Sequence, residues 1–227
     1  MNKTFDKQKK SCTRCGTCCS GSSPTLHKKD AGLILDGLIR KSAIYTIRIG
    51  ELIWNPIKEK LELATNEILK IKEAPDGGCV YYDKDQKACL IYAYKPIQCA
   101  RLKCWDHEDF IKTFNTPMTT RKELVKDKIL LKLIDEHEDR CNYNNLDNSL
   151  KQIEKYGEEP VKKILDSIKF DYYFRPFIAE KMAIDSKEID FYFGRSLIET
   201  IHMYDLQVTQ DNQGFFLLSP LPSNQDI

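Results

Sequence analysis

The chain has 227 residues, 41% of them hydrophobic and 30% charged, a composition typical of a folded protein. Its 35 basic and 34 acidic residues leave a formal charge of +1, which excludes a strong overall field for nucleic acid or an acidic membrane surface. No stretch approaches the roughly 18 apolar residues of a membrane span, and the N-terminus lacks the apolar core of a signal peptide. We therefore expect a cytoplasmic protein whose cysteines stay reduced.

Four of the nine cysteines are crowded near the N-terminus in the pattern C-x-x-C-x-x-C-C. Thiolates three residues apart let a short loop wrap one soft cation or an iron-sulfur cluster, and Gly16 permits a positive φ within that loop. Packing or disulfide bonds explain the pattern less well, because the surrounding segment is polar and lysine-rich. The predicted metal ligands of this loop are Cys12, Cys15, Cys18 and Cys19.

A second group of four cysteines follows at Cys79, Cys89, Cys99 and Cys104. Two β-prone runs around a polar turn predict a β-hairpin that brings Cys79 and Cys89 to one site. Cys99 falls in the first turn of a helix predicted after Pro96, where free backbone N–H groups favour a thiolate. Cys104 lies five residues further on and is rotated away from Cys99 on a regular helix, so the spacing supports it least.

The remaining pattern predicts an α+β protein in two parts. Residues 1–105 form an irregular cysteine-rich metal-binding module with a short antiparallel sheet, and residues 106–227 form a mainly helical region packed on it. Strands are predicted at 44–49, 52–56, 61–64 and 67–72, with a terminal pair at 207–209 and 215–218. Helices are predicted at 25–39, 119–137, 146–156, 160–169, 174–183 and 186–204.

The four histidines are not predicted to be ligands. We expect His27 to be solvated at the start of a helix. His107, His137 and His202 are isolated in the sequence and are interpreted as surface or core residues.

The two cysteine groups together carry a family resemblance. The loop C-x-x-C-G-x-C-C, followed by C-x-Y and then C-x-I-Y-x-x-K-P-x-x-C-x-R, resembles the YkgJ-type cysteine-cluster family of zinc- or iron-chelating domains, over residues 12 to about 105. Lys95 stands where arginine is usual, which keeps the charge but loses a bidentate contact. Position by position, the resemblance implies as ligands Cys12, Cys15, Cys18, Cys19, Cys79, Cys89 and Cys99, while Cys104 matches a less regular feature.

Three functions follow as hypotheses. The preferred one is a metal-binding protein whose helical part binds a protein partner or a small-molecule substrate. The second is a lysine N-methyltransferase that uses S-adenosylmethionine, because related flagellin lysine N-methylases are regarded as using this domain in methyl transfer; Cys19 or Cys104 would then be the reactive thiol. No glycine-rich strand-to-helix loop for the nucleotide supports it. The third is an interaction module with structural zinc.

The cofactor is predicted to be an iron-sulfur cluster, with zinc as the alternative. The triplet Cys12, Cys15 and Cys18 resembles the first three ligands of a bacterial ferredoxin run, and a fourth would come from the distant group. All-thiolate sites also suit zinc. No nucleic-acid partner and no membrane are expected, no catalytic residue is assigned, and whether the protein is an enzyme stays open.

Overall fold

The computed structural model describes Cys12 and residues 14–222. Within these residues the fold is α+β, with ten short to medium helices and four separate two-stranded sheets. The chain divides into two compact units: Met1–Thr46 with Ile68–Lys126, and Ile47–Glu67 with Asp127–Ile227. The predicted division at residue 105, and the packing of one part on the other, stay predictions.

The first unit begins with an extended segment and a short helix, α1 (Ala31–Leu35). The three-turn helix predicted at 25–39 is therefore too long. Its C-terminal end is set by Gly37, whose φ of 74° lies in the left-handed region that ends helices. Strand β1 (Ile44–Ile47) then pairs with β4 (Ile68–Ile71), and both lie within the strands predicted at 44–49 and 67–72.

The cysteine-bearing part of the first unit consists of very short elements. Strands β5 (Tyr82–Asp83) and β6 (Ala88–Cys89) form an antiparallel pair, which confirms the predicted hairpin. Helix α2 (Ile97–Arg101) begins directly after Pro96, also as predicted. Helices α3 (Glu108–Thr113) and α4 (Arg121–Leu124) complete the unit.

The second unit is mainly helical. It contains the hairpin of β2 (Leu52–Asn55) and β3 (Lys60–Leu63), and ends in the predicted terminal hairpin of β7 (Leu206–Gln210) and β8 (Phe216–Pro220). Its helices are α5 (Lys128–Arg140), α6 (Tyr143–Leu150), α7 (Ile153–Tyr156), α8 (Glu158–Lys181), α9 (Ile189–Phe193) and α10 (Leu197–Thr200). The helix predicted at 119–137 is thus divided between α4 and α5, and the one predicted at 186–204 is interrupted at Gly194, where φ is 74°.

Helix α8 corrects the prediction of two separate helices at 160–169 and 174–183, and it contains Pro176. The proline lies inside one helix of 24 residues. A proline in a helix interior costs about 3 kcal/mol, so other contacts must hold the two halves in line. Arg175, one residue earlier, supplies such contacts: its Nη1 donates to Gly194 O at 2.8 Å and its Nη2 to Asp190 Oδ1 at 2.7 Å. Tertiary hydrogen bonds therefore outweigh the local preference.

None of the helices that the structure describes, including α8, is long and apolar enough to cross a membrane.

Candidate metal centre

The N-terminal cysteine loop turns sharply at Gly16. The backbone N–H groups of Cys19 and Ser20 both donate to Gly16 O at 2.8 Å, and Gly16 has a φ of 77°. This turn places Cys18 Sγ 3.8 Å from Cys19 Sγ. The loop thus presents two neighbouring thiols on one side.

The β5–β6 hairpin is joined to this loop by backbone and side-chain contacts. Cys79 N donates to Cys19 O at 2.8 Å. Tyr82 lies opposite Cys89 in the hairpin register, and its ring lies so close to Gly16 that an added Cβ would overlap its hydroxyl. The hairpin segment that carries Cys79 and Cys89 therefore lies against the cysteine loop.

Helix α2, which carries Cys99, is held by hydrogen bonds of two buried side chains, Asp30 and Gln98. Asp30 Oδ1 accepts from Ile97 N at 2.8 Å, and the other oxygen of Asp30 accepts from His27 N at 2.9 Å. Gln98 Oε1 accepts from Thr25 N at 2.7 Å. The segment 25–30 thus fixes the first turn of α2, where Cys99 is the third residue.

The thiols of the two groups act on one another electrostatically. A hydrogen bond from Cys19 lowers the pKa of Cys18 to about 6, and the same bond, followed by burial and by the charges of Cys18, Cys99 and Cys89, raises the pKa of Cys19. Burial, then Cys79 and Cys89, raises the pKa of Cys99 to about 12. Five thiols from three segments therefore lie close enough to oppose one another's ionisation: Cys18, Cys19, Cys79, Cys89 and Cys99.

Lys95 places a positive charge beside these thiols. Its Nζ lies 4.3 Å from the centre of the Tyr92 ring, and its charge contributes to lowering the pKa of Cys18 and opposes the rise at Cys99. Arg14 approaches the same ring, with Cζ at 5.5 Å from its centre. The lysine that replaces the usual arginine thus retains an electrostatic role at the thiols.

The other three predicted ligands are exposed. Cys12 Sγ accepts from Arg14 N at 3.4 Å, Cys15 Sγ lies 3.4 Å from Thr17 Oγ1, and Cys104 lies past the end of α2. Partial burial, followed by the charges of Cys19, Cys15 and Cys18, raises the pKa of Tyr82, so Cys15 still acts on the residues of the site. That all eight cysteines are ligands stays a prediction.

The donor set is chemically suited to a soft metal. Thiolates from a loop, a hairpin and a helix start can hold tetrahedral zinc or an iron-sulfur cluster, and a coordinating thiol loses its proton outright. A bound cation would thus reverse the mutual opposition of the thiols, so the residues present fit such a group.

A second set of ligand-type side chains, which the sequence analysis did not single out, lies in the second unit. Donor atoms of His137, Cys141 and Asp171 all lie within 4.8 Å of one another, and all three residues are buried. His137 and Cys141 are four residues apart on α5, and this spacing is the feature of the sequence from which the set could have been predicted. However, His137 Nε2 is bonded to Asp171 Oδ1 at 2.7 Å, and the guanidinium groups of Arg48 and Arg175 adjoin the set. The positive charges of these two guanidinium groups disfavour the binding of a metal cation. We therefore interpret the set as a hydrogen-bonded part of the core.

Two histidines can now be placed. His137 is fully buried, which agrees with a core residue rather than a ligand. The prediction of a solvated His27 is wrong: it is 1% exposed, and Thr116 Oγ1 lies 2.8 Å from its Nδ1. Its position before a short 3-10 turn resembled an exposed helix start, but the partner on residue 116 is distant in the sequence.

Geometry and donors together define a cysteine-rich metal-binding domain. Residues 11–119 match the model of the CxxCxxCC family, described as "Putative zinc- or iron-chelating domain". The match confirms the resemblance found in the motifs. No curated protein and no solved structure gave a significant match to the chain.

Proposed function

We propose that this protein holds an iron-sulfur cluster on the cysteine thiolates of its CxxCxxCC domain, in the cytoplasm, with zinc as the alternative cofactor. The observation that carries the proposal is the approach of five thiols from three chain segments. Thiolates so close repel one another unless a cation compensates their charge. Reduced thiols are what a reducing compartment maintains.

Spacing is the basis for preferring a cluster. Three cysteines at intervals of three residues, with a further cysteine from a distant segment, are the arrangement of ferredoxin-type ligands. Zinc would instead act structurally, by stabilising the short elements that carry the cysteines.

We propose no reaction for this centre. A protein partner or a small-molecule substrate for the second unit belongs to the same proposal. Neither nucleic acid nor a membrane is among the proposed partners, since the chain has a net charge of +1.

The test is the metal content of protein purified without oxygen. Stoichiometric iron and acid-labile sulfide with broad visible absorption would establish a cluster, whereas colourless protein with zinc would establish the alternative. Cys89→Ser should lose metal. Cys141→Ser is the matched control, because this buried cysteine lies in the second unit and should leave metal content unchanged. Absence of both metals from the unaltered protein would refute the proposal.

A further inference from the structure

Tyr82 stands at the junction of the cysteine loop and the hairpin. Its hydroxyl lies directly over the backbone of Gly16, where a side chain on residue 16 would overlap it. It is also the cross-strand partner of Cys89. One side chain is thus flanked by both groups of predicted ligands.

The Tyr82 hydroxyl is a donor that the described part of the chain does not use. No hydrogen bond of this hydroxyl is formed among the described residues, whereas the neighbouring Tyr81 hydroxyl accepts from Arg40 N at 3.1 Å. A phenol hydroxyl that can donate a hydrogen bond thus lies against the loop that carries Cys15 and Cys18, whose thiols become negative when they bind metal.

We propose that Tyr82 is a positioning residue of the metal centre, whose hydroxyl donates a hydrogen bond to a metal-bound sulfur of the loop Cys15–Cys19. The inference rests on the proposed function. Hydrogen bonds to charged acceptors are stronger than neutral ones, and donors around a metal site orient its ligands and adjust the electron density at sulfur. Gly16 has a second role in this arrangement, since only a residue without a side chain leaves room for the phenol.

The test compares Tyr82→Phe with Tyr81→Phe in the full chain. Both changes remove one hydroxyl from adjacent residues, but only the first hydroxyl lies against the cysteine loop, at Gly16. Each protein is loaded with cobalt(II) without oxygen, and the sulfur-to-cobalt charge-transfer band is recorded. Release of zinc to a coloured chelator is then followed over time.

We expect Tyr82→Phe to shift the charge-transfer band and to release zinc about 10-fold faster, in line with other losses of outer-shell partners. Tyr81→Phe should leave both readouts at the wild-type value, even if it lowers the midpoint of unfolding. Equal release rates and spectra for Tyr82→Phe and wild type, or equal effects of the two variants, would overturn the inference. A wild-type protein purified without oxygen that contains neither an iron-sulfur cluster nor zinc would refute the proposed function itself.

Discussion

Asp30 offers the sharpest test of how the structure holds a cysteine at the candidate metal centre. This buried carboxylate is 3% exposed and accepts two backbone hydrogen bonds, one from Ile97 N at the start of α2 and one from His27 N. Asp30→Asn keeps the shape of the side chain but replaces one acceptor oxygen by an NH2 group. One of the two backbone donors must then lose its partner.

The size of the effect follows from that loss. A hydrogen bond to a charged group contributes about 1.5–3 kcal/mol, and a buried donor left unpaired costs a similar amount. We therefore expect Asp30→Asn to lower the free energy of unfolding by about 2–3 kcal/mol. Because Ile97 N lies two residues before Cys99, the variant should also release metal faster than wild type.

The assay is urea denaturation of the metal-free and metal-loaded protein, combined with the rate of zinc transfer to a chelator. Asp36→Asn is the control, since Asp36 is exposed at the end of α1 and should change the free energy of unfolding by less than about 0.5 kcal/mol. If Asp30→Asn behaves like Asp36→Asn in both measurements, the buried hydrogen bonds do not hold α2.

Three further predictions concern backbone strain, a buried histidine and proton release. Gly50→Ala should cost about 1–3 kcal/mol in urea denaturation, because φ is 88° and the new Cβ would lie 2.8 Å from Tyr143 Cβ, whereas Gly32→Ala in α1 should stabilise slightly. Burial lowers the pKa of His137, so the unfolded state binds a proton that the folded state does not. The free energy of unfolding should therefore fall by up to about 1.4 kcal/mol per pH unit as the pH drops below about 6.5. His137→Gln should flatten this slope, and an unchanged slope would contradict the interpretation of His137 as a buried neutral residue. Zinc binding at neutral pH should release protons, most clearly from Cys99 with its pKa of about 12, so calorimetric heats that do not depend on the buffer would count against thiolate ligation.

The sequence predicted those features that depend on neighbouring residues. The β5–β6 hairpin and the start of α2 after Pro96 both follow from local turn and helix signals, and both are confirmed. The helix through Pro176 was missed because Arg175 is bonded to residues 15 and 19 positions later. A local sequence pattern does not predict hydrogen-bond partners at such distances along the chain.

The roles of Asp30 and Tyr82 could not be predicted from the sequence, whereas those of the cysteines could. A cysteine group is visible from composition and spacing, because few other roles need thiols at those intervals. A carboxylate or a phenol that supports a ligand looks like any polar residue until its partner is known, and the partner of Asp30 lies 67 residues away.

The cysteine-bearing segments have few other means of holding their conformation. Within the described residues of 12–22 and 79–104, Tyr81 and Ile91 are the buried hydrophobic side chains, and the two strands of the hairpin have two residues each. Isolated two-stranded pairs are marginal in water even when they are longer. Short elements that cannot be stabilised by a large apolar core need specific interactions instead: the hydrogen bonds of Asp30 and Gln98, and metal-thiolate bonds. Metal binding and local folding of these segments are therefore expected to be one coupled process.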